Sequence, residues 1–258
     1  MNHYNNFKKE CTQEVEVQGA NKQLAKLTRQ WVDNANAHKY SYHFEWLGRP
    51  IIQYPQDMIA MQELIWEVKP DLIIETGIAH GGSLILSASM LALLDYADAV
   101  GSGQSLDPKA GRRQVLGIDI DIRSHNREAI EAHPMAHKID MIEGSSIAAD
   151  TISQVNEYAK GYDRILICLD SNHTHNHVLA ELEAYAPLTS QDSYCVVFDT
   201  IIEDLAADMF PDRPWGPGDN PKTAVWEYLK SHPEFEIDKQ IDGKLLISVA
   251  PHGYLKRI

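Results

Sequence analysis

Apolar positions recur at helical spacing twice in the first quarter of the chain: Leu24, Leu27, Trp31 and Ala35, then Met58, Met61, Leu64, Ile65 and Val68. Both stretches predict amphipathic helices, the second opening at Pro55, whereas residues 1–19 sustain no period. From Asp71 the texture changes to short apolar runs alternating with helical patterns. DLIIE (71–75) is too apolar for a strand with one wet face and is expected at the centre of a parallel sheet. Later strands are predicted at QVLGID (114–119), HKIDMIE (137–143), RILICLD (164–170), SYCVVFD (193–199), EFEID (234–238) and KLLISVA (244–250). Helical stretches separate them, over roughly 83–96, 124–133, 147–160, 174–186 and 221–231. The last two runs are joined by only KQIDG (239–243), too short for a crossover helix, so they are expected to pair antiparallel. The pattern therefore predicts an α/β fold: a doubly wound, seven-stranded, mostly parallel Rossmann-like sheet with a C-terminal antiparallel hairpin. A helical extension (1–48) is expected to precede the main domain (49–258). Two loops stand out, 97–113 as a surface insertion and 208–221, rich in Pro and Gly, as a lid over a site.

Charge narrows the partners. Lys and Arg number 23 against 37 Asp and Glu, a formal charge of −14, which argues against gripping nucleic-acid phosphates or an anionic membrane. No run approaches eighteen consecutive apolar residues and the first thirty residues are polar, so neither a membrane span nor a secretory signal is expected and the protein is placed in the cytoplasm. Cys11, Cys168 and Cys195 are too few and too far apart for a disulfide framework.

Chemistry concentrates at the predicted carboxyl ends of the strands. In IIETGIAHGGS (73–83), Glu75 ends a strand, Gly77, Gly81 and Gly82 make the turn, and Ser83 opens a helix whose free amides favour a carboxylate or phosphate. The spacing is neither GxxxxGK[ST] nor a full GxGxxG, which disfavours an ATP-hydrolysing loop. Asp119 ends the second strand, where a carboxylate can accept both ribose hydroxyls of a nucleoside, with Asp121 two residues on. Gly144, Ser145 and Ser146 follow the third strand, where an adenine edge would lie. Three such turns on successive strands are what a doubly wound sheet uses to hold a nucleoside. After the fourth strand, DSNHTHNH (170–177) sets Asp170 beside His173, His175 and His177, a density of titratable groups suited to acid–base or metal chemistry. His175 and His177 are equally read as the opening of the next helix.

KPDLIIETGIAHGGSLILSASML (69–91), GIDIDIRSHNR (117–127), LDSNHTHNHVLAELEAYAPL (169–188), WGPGDNPKTAVWEYL (215–229) and HGYLKR (252–257) together resemble the cephalosporin hydroxylase family. That family is similar to rhamnosyl and macrolide-sugar O-methyltransferases with an S-adenosylmethionine-binding, Rossmann-like fold. The resemblance spans about residues 45–258 and implies an S-adenosylmethionine-dependent O-methyltransferase acting on a sugar or glycosylated small-molecule or glycan acceptor. The cofactor is then expected on Glu75, Gly77, Gly81, Gly82, Ser83, Asp119, Asp121, Gly144, Ser145, Ser146 and Asp170. In the related metal-dependent enzymes an Asp binds Mg²⁺ and a His three residues later is the base; Asp170 and His173 match that pattern. The next strand there ends in Glu-Asp; here Asp199 is retained and Phe198 replaces the Glu, with Glu203 or Asp204 as substitutes. The resemblance also leans toward a homo-oligomer. Three other readings stay open: a nonhaem-iron hydroxylase on Asp170, His173 and His175, an NAD-dependent dehydrogenase, and a noncatalytic accessory subunit.

Overall fold

The computed structural model of the chain describes residues 3–209 and 211–258; Phe210, within the expected lid, lies outside them. The chain opens with α1 (His3–Gly19) and α2 (Lys22–Asn36), then a small antiparallel hairpin, β1 (Phe44–Trp46) and β2 (Arg49–Ile51), and α3 (Pro55–Val68). The alternating part follows as β3 (Leu72–Thr76), α4 (Gly82–Ser102), β4 (Gln114–Asp119), α5 (Ser124–Glu131), β5 (Ile139–Glu143), α6 (Ala149–Ala159), β6 (Ile165–Leu169), α7 (His175–Tyr185) and β7 (Tyr194–Val197). It closes with α8 (Pro221–Tyr228), β8 (Phe235–Ile237), α9 (Lys239–Leu245) and β9 (Tyr254–Arg257).

The seven strands pair in the order β5-β4-β3-β6-β7-β9-β8. Pairs β3–β4, β3–β6, β4–β5 and β6–β7 are parallel; β7–β9 and β8–β9 are antiparallel. β3 and β6 are buried at every residue, which is why DLIIE and RILICLD read as unbroken apolar runs. Successive side chains feed opposite layers: Ile73, Leu166, Cys168, Val196 and Phe198 pack with α3, α4 and α5, while Leu72, Ile74, Ile167, Val197 and Cys195 pack with α6, α7 and α8. α4 is long and apolar enough to cross a membrane, yet its buried face, from Leu84 to Leu94, packs into the core under β1, β2 and β4.

Two expectations need correction, and the stretch without a period proves helical. KLLISVA is not the last strand. Lys244 and Leu245 end α9, and buried Asp57 captures Ser248 Oγ at 2.6 Å and Val249 N–H at 2.9 Å, so this run is apolar because it is anchored inside the core. The hairpin partner of β8 is β9, from HGYLKR, and the connection contains α9. Residues 3–19 form a helix that buries no side chain and so shows no apolar period; it rests on α9, where Gln18 donates to Gly243 O at 2.8 Å. The 97–113 segment is partly helix, since α4 runs on to Ser102, and Arg113 fastens its remainder by pairing with Asp95 and Asp98.

Candidate functional site

A crevice opens where the sheet order reverses, between the carboxyl ends of β3, β4 and β6. It has two adjoining chambers. One, about 250 Å³, is lined by Ile118, Asp119, Ile120, Ser145, Ser146, Asn172 and His177; the other, about 200 Å³, by Tyr42, Gln53, His80, Ser83, His173 and Asp199. Gly77, Ala79, Asp170 and Ser171 line both and so form the passage between them.

The floor of that passage depends on Gly77. Its φ is +88°, and a Cβ there would stand 2.0 Å from the Asp170 carbonyl oxygen, so only glycine lets the β3 loop lie against the end of β6. Gly82 serves a different contact. A Cβ on it would meet Pro50 O at 2.2 Å, so this glycine seats β2 on the start of α4 while also lining the second chamber. Gly81 packs against Ile130 and Gly144 against Thr151. Arg49, unremarked in the sequence, donates to His80 O at 3.0 Å and to Asn126 Oδ1 at 3.1 Å, while Asn126 Nδ2 holds Ala79 O at 2.8 Å; together they pin the glycine turn.

Asp119 accepts from Ile78 N–H at 2.8 Å through Oδ2 and from Asp121 N–H at 3.1 Å through Oδ1, leaving Oδ1 free to accept again beside the first chamber. Asp121 itself is exposed and lies beyond β4; Ile120 lines the chamber where Asp121 was expected. At the far end Ser146 Oγ and Ser171 Oγ lie 3.1 and 3.2 Å from His177 Nε2, and Ser171 donates to buried Glu181 at 2.6 Å. His177 thus lines the crevice from inside α7.

Behind the second chamber, Glu75 is buried and receives the hydroxyl of Ser83, which lines it; burial pushes the Glu75 carboxyl up to about 7. Asp170, His173 and Asp199 each place a ligand-type atom within 4.8 Å of the others. His173 Nε2 is 3.1 Å from Asp199 Oδ2, and the imidazole meets Trp215 edge-on at 4.8 Å between centroids. Asp199 holds a left-handed φ of +53°, a cost tolerated here where it aims a carboxylate into the site. Burial, followed by the charges of Asp199, Glu75 and Glu181, raises the Asp170 carboxyl well above its ordinary range, against a bond from Gln53. The cluster gathers ligand atoms suited to a hard divalent cation, whose charge would offset the mutual repulsion of the carboxylates.

Glu203 and Asp204 do not join it. Glu203 accepts from Gly218 N–H at 2.7 Å and from the Asn220 amide, holding the 215–220 turn, and Asp204 pairs with Lys222. Phe198 faces the core with Val196, so it contributes no ligand. His175 turns away, its N–H on Asp219 and its Nδ1 2.8 Å from Thr223 Oγ1, which removes the histidine that an Asp170–His173–His175 iron site would need.

Residues 38–258 match the family Rhamnosyl O-methyltransferase/CmcI. A rhamnosyl O-methyltransferase of Mycobacterium leprae is 30% identical over 217 residues, covering 82% of each chain, and one of Mycobacterium tuberculosis is 29% identical over 208 residues, 78% of this chain and 73% of the relative. Among solved structures, CmcI with Mg and SAM superposes with a TM-score of 0.54 at 18% identity, covering 84% of this chain and 77% of the other, and its apo form does so at 0.54 and 19% with the same coverage. The match over residues 38–258, together with the strand order and the crevice, places this chain in the rhamnosyl O-methyltransferase/CmcI family.

Proposed function

We propose that this protein is a cytoplasmic S-adenosylmethionine-dependent O-methyltransferase that methylates a hydroxyl of a sugar or glycosylated small molecule, with a divalent cation held at Asp170 and Asp199. The observation that carries the reading is the shared crevice: the chamber bordered by Asp119 opens past Gly77 and Asp170 directly onto the acid–imidazole cluster. Asp119, with acceptor capacity left on Oδ1, would take the ribose hydroxyls, and Ser145 and Ser146 the adenine edge. Ser83, with Glu75 behind it, lies at the other end, where the methionine portion would sit.

Sugar hydroxyls are poor nucleophiles near neutral pH. A proton on His173 Nε2 satisfies Asp199 and leaves Nδ1 with its lone pair, the arrangement of an oriented general base. The edge-on contact with Trp215 restricts rotation of the ring, so the base keeps its aim while the acceptor oxygen attacks the sulfonium methyl. When bound, Mg²⁺ on the two carboxylates would lower the pKa of a coordinated acceptor hydroxyl.

Transfer of labelled methyl from S-adenosylmethionine to a panel of rhamnosides and related glycosides, with Mg²⁺ present, tests the reading. Wild-type protein should methylate at least one acceptor; His173→Ala should lower kcat by roughly 10²–10⁴-fold with S-adenosylhomocysteine affinity within a few-fold. A wild-type protein that binds no S-adenosylhomocysteine would overturn it.

A further inference from the structure

Gln53 is a polar side chain in an apolar place. It stands between the end of β2 and Tyr54, the residue that caps α3, in the run IIQYP, and only 6% of it is exposed. Its amide is half used. Nε2 donates to Asp170 Oδ2 at 3.2 Å, whereas Oε1 is buried and meets no hydrogen-bond donor among the described residues. A buried carbonyl oxygen without a donor is destabilising, and native interiors seldom keep one unless something else uses it.

Its position says what that is. Gln53 lines the chamber that also holds Asp170, His173 and Asp199, whose ligand-type atoms already converge within 4.8 Å. A half-turn of the amide exchanges Nε2 for Oε1 beside the Asp170 carboxylate. Two oxygens in that arrangement repel unless a proton or a cation lies between them, and hard divalent cations accept side-chain amide oxygens as ligands alongside carboxylates.

We propose that Gln53 is a ligand of the divalent cation: its amide donates to Asp170 while the site holds no ion and turns its Oε1 onto the ion when one binds. The proposal rests on the cation-assisted reading given above. Gln53 then does two things with one amide, holding Asp170 in place beforehand and completing the oxygen donor set afterwards.

The test is Mn²⁺ binding to the full-length, cofactor-free protein, followed through loss of the free-ion electron paramagnetic resonance signal. Asp170→Asn checks the site. Gln53→Met, similar in length without an amide, should weaken Mn²⁺ binding about tenfold and change S-adenosylhomocysteine affinity by less than about twofold. Gln53→Glu, which restores an oxygen, should bind Mn²⁺ at least as tightly as wild type, and it decides the matter if the Met variant does not fold. Wild-type Mn²⁺ affinity in Gln53→Met, or weakened binding in Gln53→Glu, overturns the assignment. So does a loss confined to S-adenosylhomocysteine, which would give the amide to the methyl donor instead. Binding that is absent in the wild type, or indifferent to Asp170→Asn, sinks the cation reading itself and is thereby distinguished from failure of Gln53 alone.

Discussion

Glu75 is 3% exposed and accepts a hydrogen bond from the Ser83 hydroxyl, and its carboxyl is pushed up to about 7 from an ordinary 4.5 by burial. The native state therefore keeps a proton that the unfolded chain releases between those two values. Stability contributed here is present at low pH and falls as pH rises through that window, by of order 3 kcal/mol once pH exceeds the folded value. Asp57, pushed up to about 6, acts in the same direction over a lower range. Glu75→Gln keeps an acceptor for Ser83 and cannot ionise, so without cofactor it should match wild type in urea unfolding at pH 4 and exceed it at pH 8 by up to about 3 kcal/mol. An equal gap at both pH values would show that Glu75 does not titrate in this window. Such residues are legible in sequence because each interrupts an apolar run at a strand's end: Glu75, Asp119, Asp170 and Asp199 all line or border the crevice as anticipated. Gln53 and Arg49 were not, because they come from a short hairpin and the link after it, outside the β-α rhythm, and the polar interruption in IIQYP does not say what the side chain faces.

Elements meet this site through close backbone contacts that no periodicity announces. Gly82 begins α4 and receives Pro50 O of β2; a Cβ would close to 2.2 Å on the carbonyl and 2.7 Å on Ile51 Cβ, neither of which can swing aside. Gly82→Ala should therefore lift β2 from α4 at a cost of about 1–3 kcal/mol. Because Arg49 of β2 holds His80 O, the same change should also weaken S-adenosylhomocysteine binding. Gly144→Ala meets only the Thr151 hydroxyl, at 2.7 Å, a side-chain end that can rotate, and should cost less on both counts. Thermal melts and cofactor titrations of the two variants check the order; equal losses would mean the β2 contact is unimportant. The strands and central helices were legible because burial on two faces writes long apolar runs, whereas α1, which buries nothing, and the 244–250 run, whose last three residues are buried without forming a strand, show where pattern and packing part. Phe198 belongs to the same lesson, since strand alternation sends it to the core beside Val196 while Asp199, in a left-handed turn, faces the site.

Charge acts on the molecule as a whole. Acidic side chains concentrate at the carboxyl edge of the sheet, where Asp119, Glu181, Asp199 and, once ionised, Glu75 and Asp170 lie at or just behind the crevice. The resulting potential favours a divalent cation and opposes an acceptor that brings phosphates of its own. Among acceptors carrying the same sugar, a neutral glycoside should therefore surpass the nucleoside diphosphate sugar in kcat/KM by about tenfold or more at low ionic strength. The advantage should shrink as salt rises to about 0.5 M, because the screening length falls to a few ångströms. Steady-state kinetics on both acceptors across a salt series provides the check. The 211–220 segment works the other way: Arg213 is exposed and lies 5.1 Å over the Trp215 ring, which meets His173. A ratio that favours the charged acceptor and falls with added salt would mean that this guanidinium recruits phosphate more strongly than the acidic crevice repels it, and Arg213→Ala would then reverse the preference.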